Sequence, residues 1–283
     1  MPVSLPPALA LSLDLLCCPT CRTRHLYLLR GALRCPVGHT FDIARHGYAG
    51  LLTGTRATSG DDTAMVQARS RFLSTGTYAP IRNVGARLAI DTAPEQATIV
   101  DVGCGTGYYL AGVLDRLPGA RGLGLDTSVR ALRSAARAHD RGAAVAWDVF
   151  RPFPLADGVA DVVLDVFAPR NPAEFHRVLR PTGRLIVVRP TGRHLAELRD
   201  RLPAMVTIDP AKEQRLHQAL DPFFEAAVTE EVEYPATLSR QDALDLVAMT
   251  PSARHVSRAD LDDDGFLSDQ VTVSVLATAY QPR

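Results

Sequence analysis

Two groups of residues in this 283-residue chain have the types and spacing for chemistry. The first is Asp101-Val102-Gly103-Cys104-Gly105-Thr106-Gly107, entered from Ile99 and Val100 and followed by a helix-like stretch, Tyr108 to Leu117. Glycine lets a backbone turn sharply and come close to a ligand. The first turn of the following helix offers N–H groups that lack intrahelical partners. The spacing is Gly-x-Gly-x-Gly with an acid two residues ahead, not the Gly-x-Gly-x-x-Gly of NAD-type loops. The second group is Cys18-x2-Cys21-x13-Cys35-x3-His39, with Pro19 and Pro36 behind the first and third members. Two close pairs on short knuckles, joined by a hairpin-length spacer, suit a tetrahedral Cys3His zinc site. Four protein ligands leave no open position, so the metal is structural rather than catalytic. The alternatives are reduced thiols in an ordinary hairpin, or Cys17 in place of Cys18 with a changed knuckle.

The elements that must position these groups follow from periodicity. Leu26 to Leu29 reads as a strand, with a turn at Arg30-Gly31 before the second knuckle. A unit of about 45 residues has too little core to stand alone, and metal would supply the missing folding energy. Residues 46–60, rich in Gly, Thr and Ser, read as a linker or mobile loop. Asp61 to Leu73 and Ile81 to Ile90 read as helices, the first capped by Asp61 or Asp62. From Ala97 strands are expected at 97–102, 121–126, 143–147, 159–166 and 184–189, and helices at 106–117, 128–140, 171–180 and 192–202. Strands near 223–232 and 270–279 and a helix near 239–248 complete the pattern. Such alternation predicts an open, mostly parallel α/β sheet with ligands at the carboxyl ends of its strands. The expected division is 1–45, 46–90 and 91–283.

Composition bounds the partners. Apolar residues make up 46% of the chain, ample for a packed core. Basic and acidic residues balance at 31 each, so no overall basic signal for nucleic acid exists. The balance is uneven along the chain: residues 1–90 hold ten arginines against four aspartates. An electrostatic footprint for RNA would therefore lie in the first third. No stretch reaches the roughly 18–20 apolar residues of a membrane span. Pro6 to Leu16 lacks the basic flank of a signal sequence, so the expected location is the cytoplasm.

Asp126 ends the apolar run Gly122 to Leu125, 19 residues beyond Gly107. An acid there can accept hydrogen bonds from both ribose hydroxyls of a bound nucleoside; the alternative is a cap for the next helix. At the end of the fourth strand stands Asp165-Val166-Phe167-Ala168-Pro169-Arg170-Asn171-Pro172, where an aromatic and a stiffened turn can stack a planar base, or merely end a strand and start a helix.

The glycine loop resembles motif I of S-adenosylmethionine (SAM)-dependent methyltransferases, in which Gly103, Gly105, Thr106 and Gly107 would lie under the cofactor and Asp101 would brace the loop. Nearly the whole chain resembles the bacterial 23S rRNA guanine-N1 methyltransferases. The resemblance rests on Cys18-Pro-x-Cys21, on Cys35-Pro-x-x-His39-x-Phe41-Asp42-x-Ala44-Arg45-x-Gly47-Tyr48, on Asp101 to Tyr108, and on Val166 to Pro172. The last of these, with Leu179-Arg-Pro-x-Gly183, looks closest to the actinobacterial branch associated with macrolide resistance. The resemblance implies a Rossmann-like SAM-dependent methyltransferase domain behind a small zinc module that grips an rRNA hairpin. It also implies that Asp148 holds the adenine and that Tyr78 and His194 touch SAM; from its own surroundings in sequence, His194 reads as a helix-surface residue.

Methyl transfer needs an aligned nucleophile and little else. Guanine N1 carries a proton, so a base or a proton path to water would help, and Asp165 is the nearest candidate. Phe167, Tyr108 and Tyr109 would stack an unstacked guanine. Arg22, Arg24, Arg30, Arg34 and Arg45 would hold phosphates. Two other readings stand beside this one. The same scaffold could methylate a small aromatic metabolite of the indole or cyclic dipeptide type, or could be a non-catalytic zinc-stabilised RNA-binding protein. A homodimer is compatible with the chain, though no residue argues for it.

Overall fold

The computed structural model describes residues 6–52, 60–202, 205, 211–250 and 270–283. After a single turn of helix, α1 (Pro7–Ala10), three short strands make a small antiparallel sheet: β1 (Tyr27–Leu29), β2 (Ala32–Arg34) and β3 (Thr40–Asp42). β4 (Ala49–Gly50) then leaves that sheet for the larger one. Two helices follow, α2 (Thr63–Ser74) and α3 (Ala79–Ile90). Asp62 caps α2 by accepting the Met65 N–H at 2.9 Å, and Pro80 stands in the first turn of α3.

The αβ alternation then runs β5 (Thr98–Val102), α4 (Tyr108–Leu114), β6 (Arg121–Asp126), α5 (Val129–Ala135), β7 (Gly142–Ala146), β8 (Ala160–Val166), α6 (Pro172–Val178) and β9 (Leu179–Pro190). The tail adds α7 (Ala196–Arg201), α8 (Ala211–Leu220), β10 (Phe224–Thr237), α9 (Arg240–Ala248) and β11 (Gln270–Pro282). Eight strands form one sheet in the order β10-β11-β9-β8-β5-β6-β7-β4, parallel from β9 to β4 and antiparallel where β11 pairs with β9 and β10. The strand order reverses beside β5, between β8 and β6, and that is where an open α/β sheet holds its ligand. Every residue of β5 and β8 is buried, as parallel strands covered on both faces require.

Alternation assigns the two faces. Ile99, Leu164, Ile186 and Val188 point into a core closed by α2, α3, α4 and α9. Val100, Val163, Leu185 and Val187 point into a second core that contains Leu16, Leu33 and Phe41 of the N-terminal unit. The zinc unit is therefore not an appendage. Leu16 bridges to Leu155, Cys17 N–H donates to Pro154 O at 2.9 Å, and Arg22 Nη1 donates to Phe153 O at 2.6 Å.

Three sequence expectations shift. Within the stretch expected to be linker, Ala49 and Gly50 pair in parallel with Val145 and Ala146; residues 53–59 lie outside the described set. The helix expected at 171–180 stops at Val178, because Pro181 drives Arg180 into extended backbone and β9 starts early. The helix expected at 192–202 starts only at Ala196, after a left-handed Leu195 (φ 55°). α8 was not expected.

Candidate functional site

The carboxyl ends of β5, β6, β8 and β9 open into a cavity of about 1290 Å3. Pockets for a single small ligand run to roughly 300–1,000 Å3, so there is room for a cofactor and an acceptor. Gly103, Gly105 and Thr106 line it, with Asp126 and Asp148 beside them. Gly103 (φ 74°) and Gly105 (φ 54°) both occupy left-handed backbone, and a Cβ on Gly103 would stand 2.6 Å from Ala168 Cβ. The loop after β8 thus sits directly against the glycine loop. Gly107 (φ 84°) does not reach the cavity wall; its missing Cβ, which would stand 2.9 Å from Ala138 Cβ, lets α4 begin against the end of α5.

Asp126 holds the loop in shape. Its Oδ2 accepts the Gly105 N–H at 2.8 Å and its Oδ1 the Ser128 N–H at 2.7 Å. A carboxylate has about four lone-pair sites, so these contacts do not exhaust its capacity to accept. Burial pushes its pKa up, while the N–H groups of Ser128 and Gly105, nearby Arg69 and the Thr127 N–H pull it back. Asp101 lies behind the loop rather than on the cavity wall. Burial, reinforced by Asp126 and Asp165, lifts its pKa to about 8, and its Oδ2 has no hydrogen-bond partner among the described residues. Its surroundings thus favour the protonated acid in that place behind the loop.

Tyr78 and His194 come from opposite ends of the domain and meet in the wall. Tyr78 Oη lies 3.1 Å from His194 Nε2, and His194 Nδ1 accepts the Ser274 N–H at 3.2 Å. A ring nitrogen that accepts carries no proton, so the hydrogen sits on Nε2 and is donated to Tyr78. Burial, with the charge of Arg199 acting in the same direction, lowers the His194 pKa to about 4. The Tyr78 hydroxyl proton is left to point elsewhere. Burial, not surface exposure, is thus the setting of His194, because β11 covers it. Phe167 stands beside both rings at centroid distances of 6.2 and 5.9 Å, and beside Tyr109 at 6.4 Å. Its backbone is left-handed (φ 56°), a conformation that costs about 1–3 kcal/mol in a non-glycine residue and clusters at ligand sites.

Asp165 is placed differently from the sequence expectation. Strand alternation turns it to the face of Val163, it is fully buried, and it is not part of the cavity wall. It faces Arg170 Nε at 3.0 Å, close enough for an ion pair although the N–H is not aimed at the oxygen. A buried, paired carboxylate behind the wall is not placed to take a proton from an acceptor in the cavity.

Two wall residues escaped the sequence reading. Arg69 occupies the buried stripe of α2 between Met65 and Phe72, pairs with Asp61, and donates to Met249 O at 2.7 Å. Its Nη1 lies 3.7 Å from the place of a Gly105 Cβ. A charge at helical spacing within an apolar stripe is the signal that could have found it. Arg170 is the second: it stands within the strand-end segment 165–172, but its sequence neighbours give it no role.

In the N-terminal unit the ligand atoms of Cys18, Cys21, Cys35 and His39 all lie within 4.8 Å of one another. Cys21 Sγ is 3.8 Å from Cys35 Sγ, and His39 presents Nδ1 at 3.6 Å from Cys18 Sγ and 3.4 Å from Cys35 Sγ. A tetrahedron with zinc–sulfur bonds of about 2.3 Å has edges of about 3.8 Å, so the donor set fits zinc. Cys17 is buried outside the cluster, and burial raises its pKa. Arg22 spends one Nη on Phe153 O, while Arg22, Arg24, Arg30 and Arg45 are all exposed.

Fold and site together define a SAM-dependent methyltransferase carrying a zinc ribbon. Residues 99–183 match the family described as "Methyltransferase domain", and residues 16–56 match that described as "RlmA, N-terminal". The chain is 42% identical over 257 residues to the 23S rRNA (guanine(748)-N(1))-methyltransferase of Streptomyces fradiae, covering 88% of this chain and 91% of that one. It is 45% identical over 268 residues to a Micromonospora griseorubida protein assigned as a 23S rRNA (guanine-N(1)-)-methyltransferase, covering 89% and 90%. A solved structure from Anabaena variabilis, assigned as a methyltransferase of antibiotic biosynthesis, superposes with a TM-score of 0.52 at 15% identity over 71% of this chain and 96% of that one, a likeness of fold alone. The chain belongs to the 23S rRNA (guanine-N1)-methyltransferase family. Among the described residues no helix is long and apolar enough to cross a membrane.

Proposed function

We propose that this protein transfers a methyl group from SAM to N1 of a guanine in a 23S rRNA hairpin. The observation that carries the reading is 42% identity to the Streptomyces fradiae enzyme over 88% of this chain and 91% of that one, joined to a cavity large enough for two ligands. Bound SAM supplies an electrophilic methyl on sulfur. Gly103, Gly105 and Thr106 shape its bed, Asp126 takes the ribose and Asp148 the adenine. Tyr78, with its proton free to donate, and His194 close the wall around the methionine end, and Phe167 offers a face on which the guanine stacks. Residues 1–45 form the recognition module, with Arg24, Arg30, Arg34 and Arg45 toward phosphates, and residues 91–283 hold the reaction together with Arg69 and Tyr78 of the preceding helices. A homodimer would grip both sides of the hairpin; sedimentation with and without RNA tests that.

The test is methyl transfer from labelled SAM to a 23S rRNA hairpin transcript, followed by primer extension. A methyl on N1 blocks Watson–Crick pairing, so one new stop at a guanine is the expected result. Label that enters no RNA, from protein that binds SAM, would overturn it and turn attention to small aromatic acceptors. Resistance to a macrolide in a susceptible host carrying this chain would place the activity in self-protection.

A further inference from the structure

Among the described residues, the cavity wall holds no carboxylate or imidazole placed to remove a proton from guanine N1. Asp126 has both oxygens on loop N–H groups, and Asp61 is paired with Arg69. Asp148 Oδ1 takes the Phe150 N–H at 3.0 Å. Both ring nitrogens of His194 are engaged, and Asp165 is behind the wall. What the cavity does contain, on the side of β8 and β9, is cationic: Arg170 and Arg189, with Arg199 nearby. The acids sit at the β5–β6 end. At the glycine-loop end the acids are accompanied by Arg69, which is paired with Asp61, whereas the β8–β9 side, left for the acceptor, carries arginines and no acid among the described wall residues.

Of these cations, Arg170 stands at ion-pair distance from a fully buried carboxylate, whereas Arg199 is spent on the carbonyl oxygens of Gly192 and His194. It follows Phe167, Ala168 and Pro169, the turn that touches Gly103. Its side chain is only 18% exposed, held from behind by the fully buried Asp165. Among the described residues, Asp165 of β8 faces it, Tyr280 of β11 senses its charge, and Arg189 of β9 and Asp221 act on that same tyrosine. A buried carboxylate behind an arginine fixes where the guanidinium points, and arginine is a donor fork matched to guanine O6 and N7.

We propose that Arg170, oriented by Asp165, donates to O6 of the acceptor guanine and stabilises the form that has lost its N1 proton. This rests on the guanine-N1 reading above. Loss of that proton spreads negative charge onto O6, so a cation there lowers the cost of ionisation without any base. The N1 proton leaves to water at the cavity mouth. The N1 electron pair forms the new N–C bond as the methyl–sulfur bond breaks and its pair returns to sulfur, so charge and atoms balance. Arg170 is catalytic in this scheme and Asp165 is a positioning residue.

The test is the pH dependence of single-turnover methylation of the rRNA hairpin by wild type, Arg170→Met, Arg170→Lys and Asp165→Asn, with SAM affinity measured alongside by calorimetry. For Arg170→Met the rate falls 100-fold or more at pH 7, while its rising limb moves toward the pKa of free guanosine N1, so the deficit shrinks at high pH. Asp165→Asn moves the limb in the same direction by less, and Arg170→Lys recovers part of the rate. An acceptor carrying 6-thioguanine, whose N1 is more acidic, reduces the Arg170→Met deficit. SAM affinity stays within about twofold. A uniform drop with an unmoved limb, or a parallel loss of SAM affinity, overturns the proposal while leaving guanine-N1 methylation by wild type intact. Absence of N1 methylation by wild type overturns the underlying reading instead.

Discussion

Tyr78 and His194, 116 residues apart, share one hydrogen bond of 3.1 Å whose direction is set by a third residue, since Ser274 N–H occupies the other ring nitrogen. The imidazole is therefore neutral and the phenol accepts. With its pKa lowered to about 4 by burial, His194 resists protonation that it would accept near 6.5 when unfolded. The unfolded state binds the extra proton, so this contribution to stability is complete above pH 6.5 and is lost as pH falls toward 4. Denaturant melts from pH 4 to 8 should show that acid slope in wild type and a shallower one in His194→Gln. Equal slopes would mean the ring is not held neutral.

Asp101 has the opposite sign. Its folded pKa of about 8 exceeds the ordinary carboxylate value, so the folded state holds a proton that the unfolded chain has released. Stability from this group is complete below about pH 4 and declines as pH rises to 8, by at most ~1.4 kcal/mol per unit. Asp101→Asn keeps the shape and removes the titration, so the variant should gain on wild type as pH rises from 5 to 8. Melts that stay parallel across that range would exclude the neutral-acid assignment.

Gly103→Ala places a methyl where Ala168 already stands, on a backbone of φ 74°. Both effects oppose the native loop, and a Cβ at positive φ alone costs more than the roughly 0.4–1 kcal/mol gained by stiffening the unfolded chain. SAM affinity should fall at least tenfold, with a lower melting temperature. Gly76→Ala, at φ 81° but with nothing near its Cβ, is the control, expected to cost stability alone.

Zinc removal should be felt throughout the domain. Leu33 and Phe41 share a core with Val100, Val145 and Phe175. Chelation or Cys35→Ser should therefore lower a single cooperative transition rather than create a separate early one. Cobalt substitution should give one ion per chain with tetrahedral thiolate bands. Two resolved transitions would show a module that folds independently.

Legibility in sequence tracked distance along the chain. The glycine loop, the Cys3His set and the αβ alternation are local patterns, and β6 was read to its observed ends. Asp126, at the end of that strand, came with them. His194 could not be read from its neighbours because its burial depends on Ser274, 80 residues away. Asp165 looked like a base because a strand-end acid is visible, whereas the face it takes is decided by the register of β8 against β9. Arg170 needed Asp165 to be placed first. The short β4 offered two residues of small side chain, too few to show a period, and only its pairing with β7 makes it a strand.

The docking of Leu16 on Leu155 and of Ala49 on Val145 also dictates an order of events at the ribosome. The ribbon emerges first, and its partner surfaces follow about a hundred residues later. At roughly 5–20 residues per second, that is an interval of about 5–20 seconds in which the ribbon's residues have no neighbour to dock on. A ribbon that shares its core with the rest of the domain closes on its metal only when those surfaces arrive, so zinc capture and folding of the domain should coincide in time.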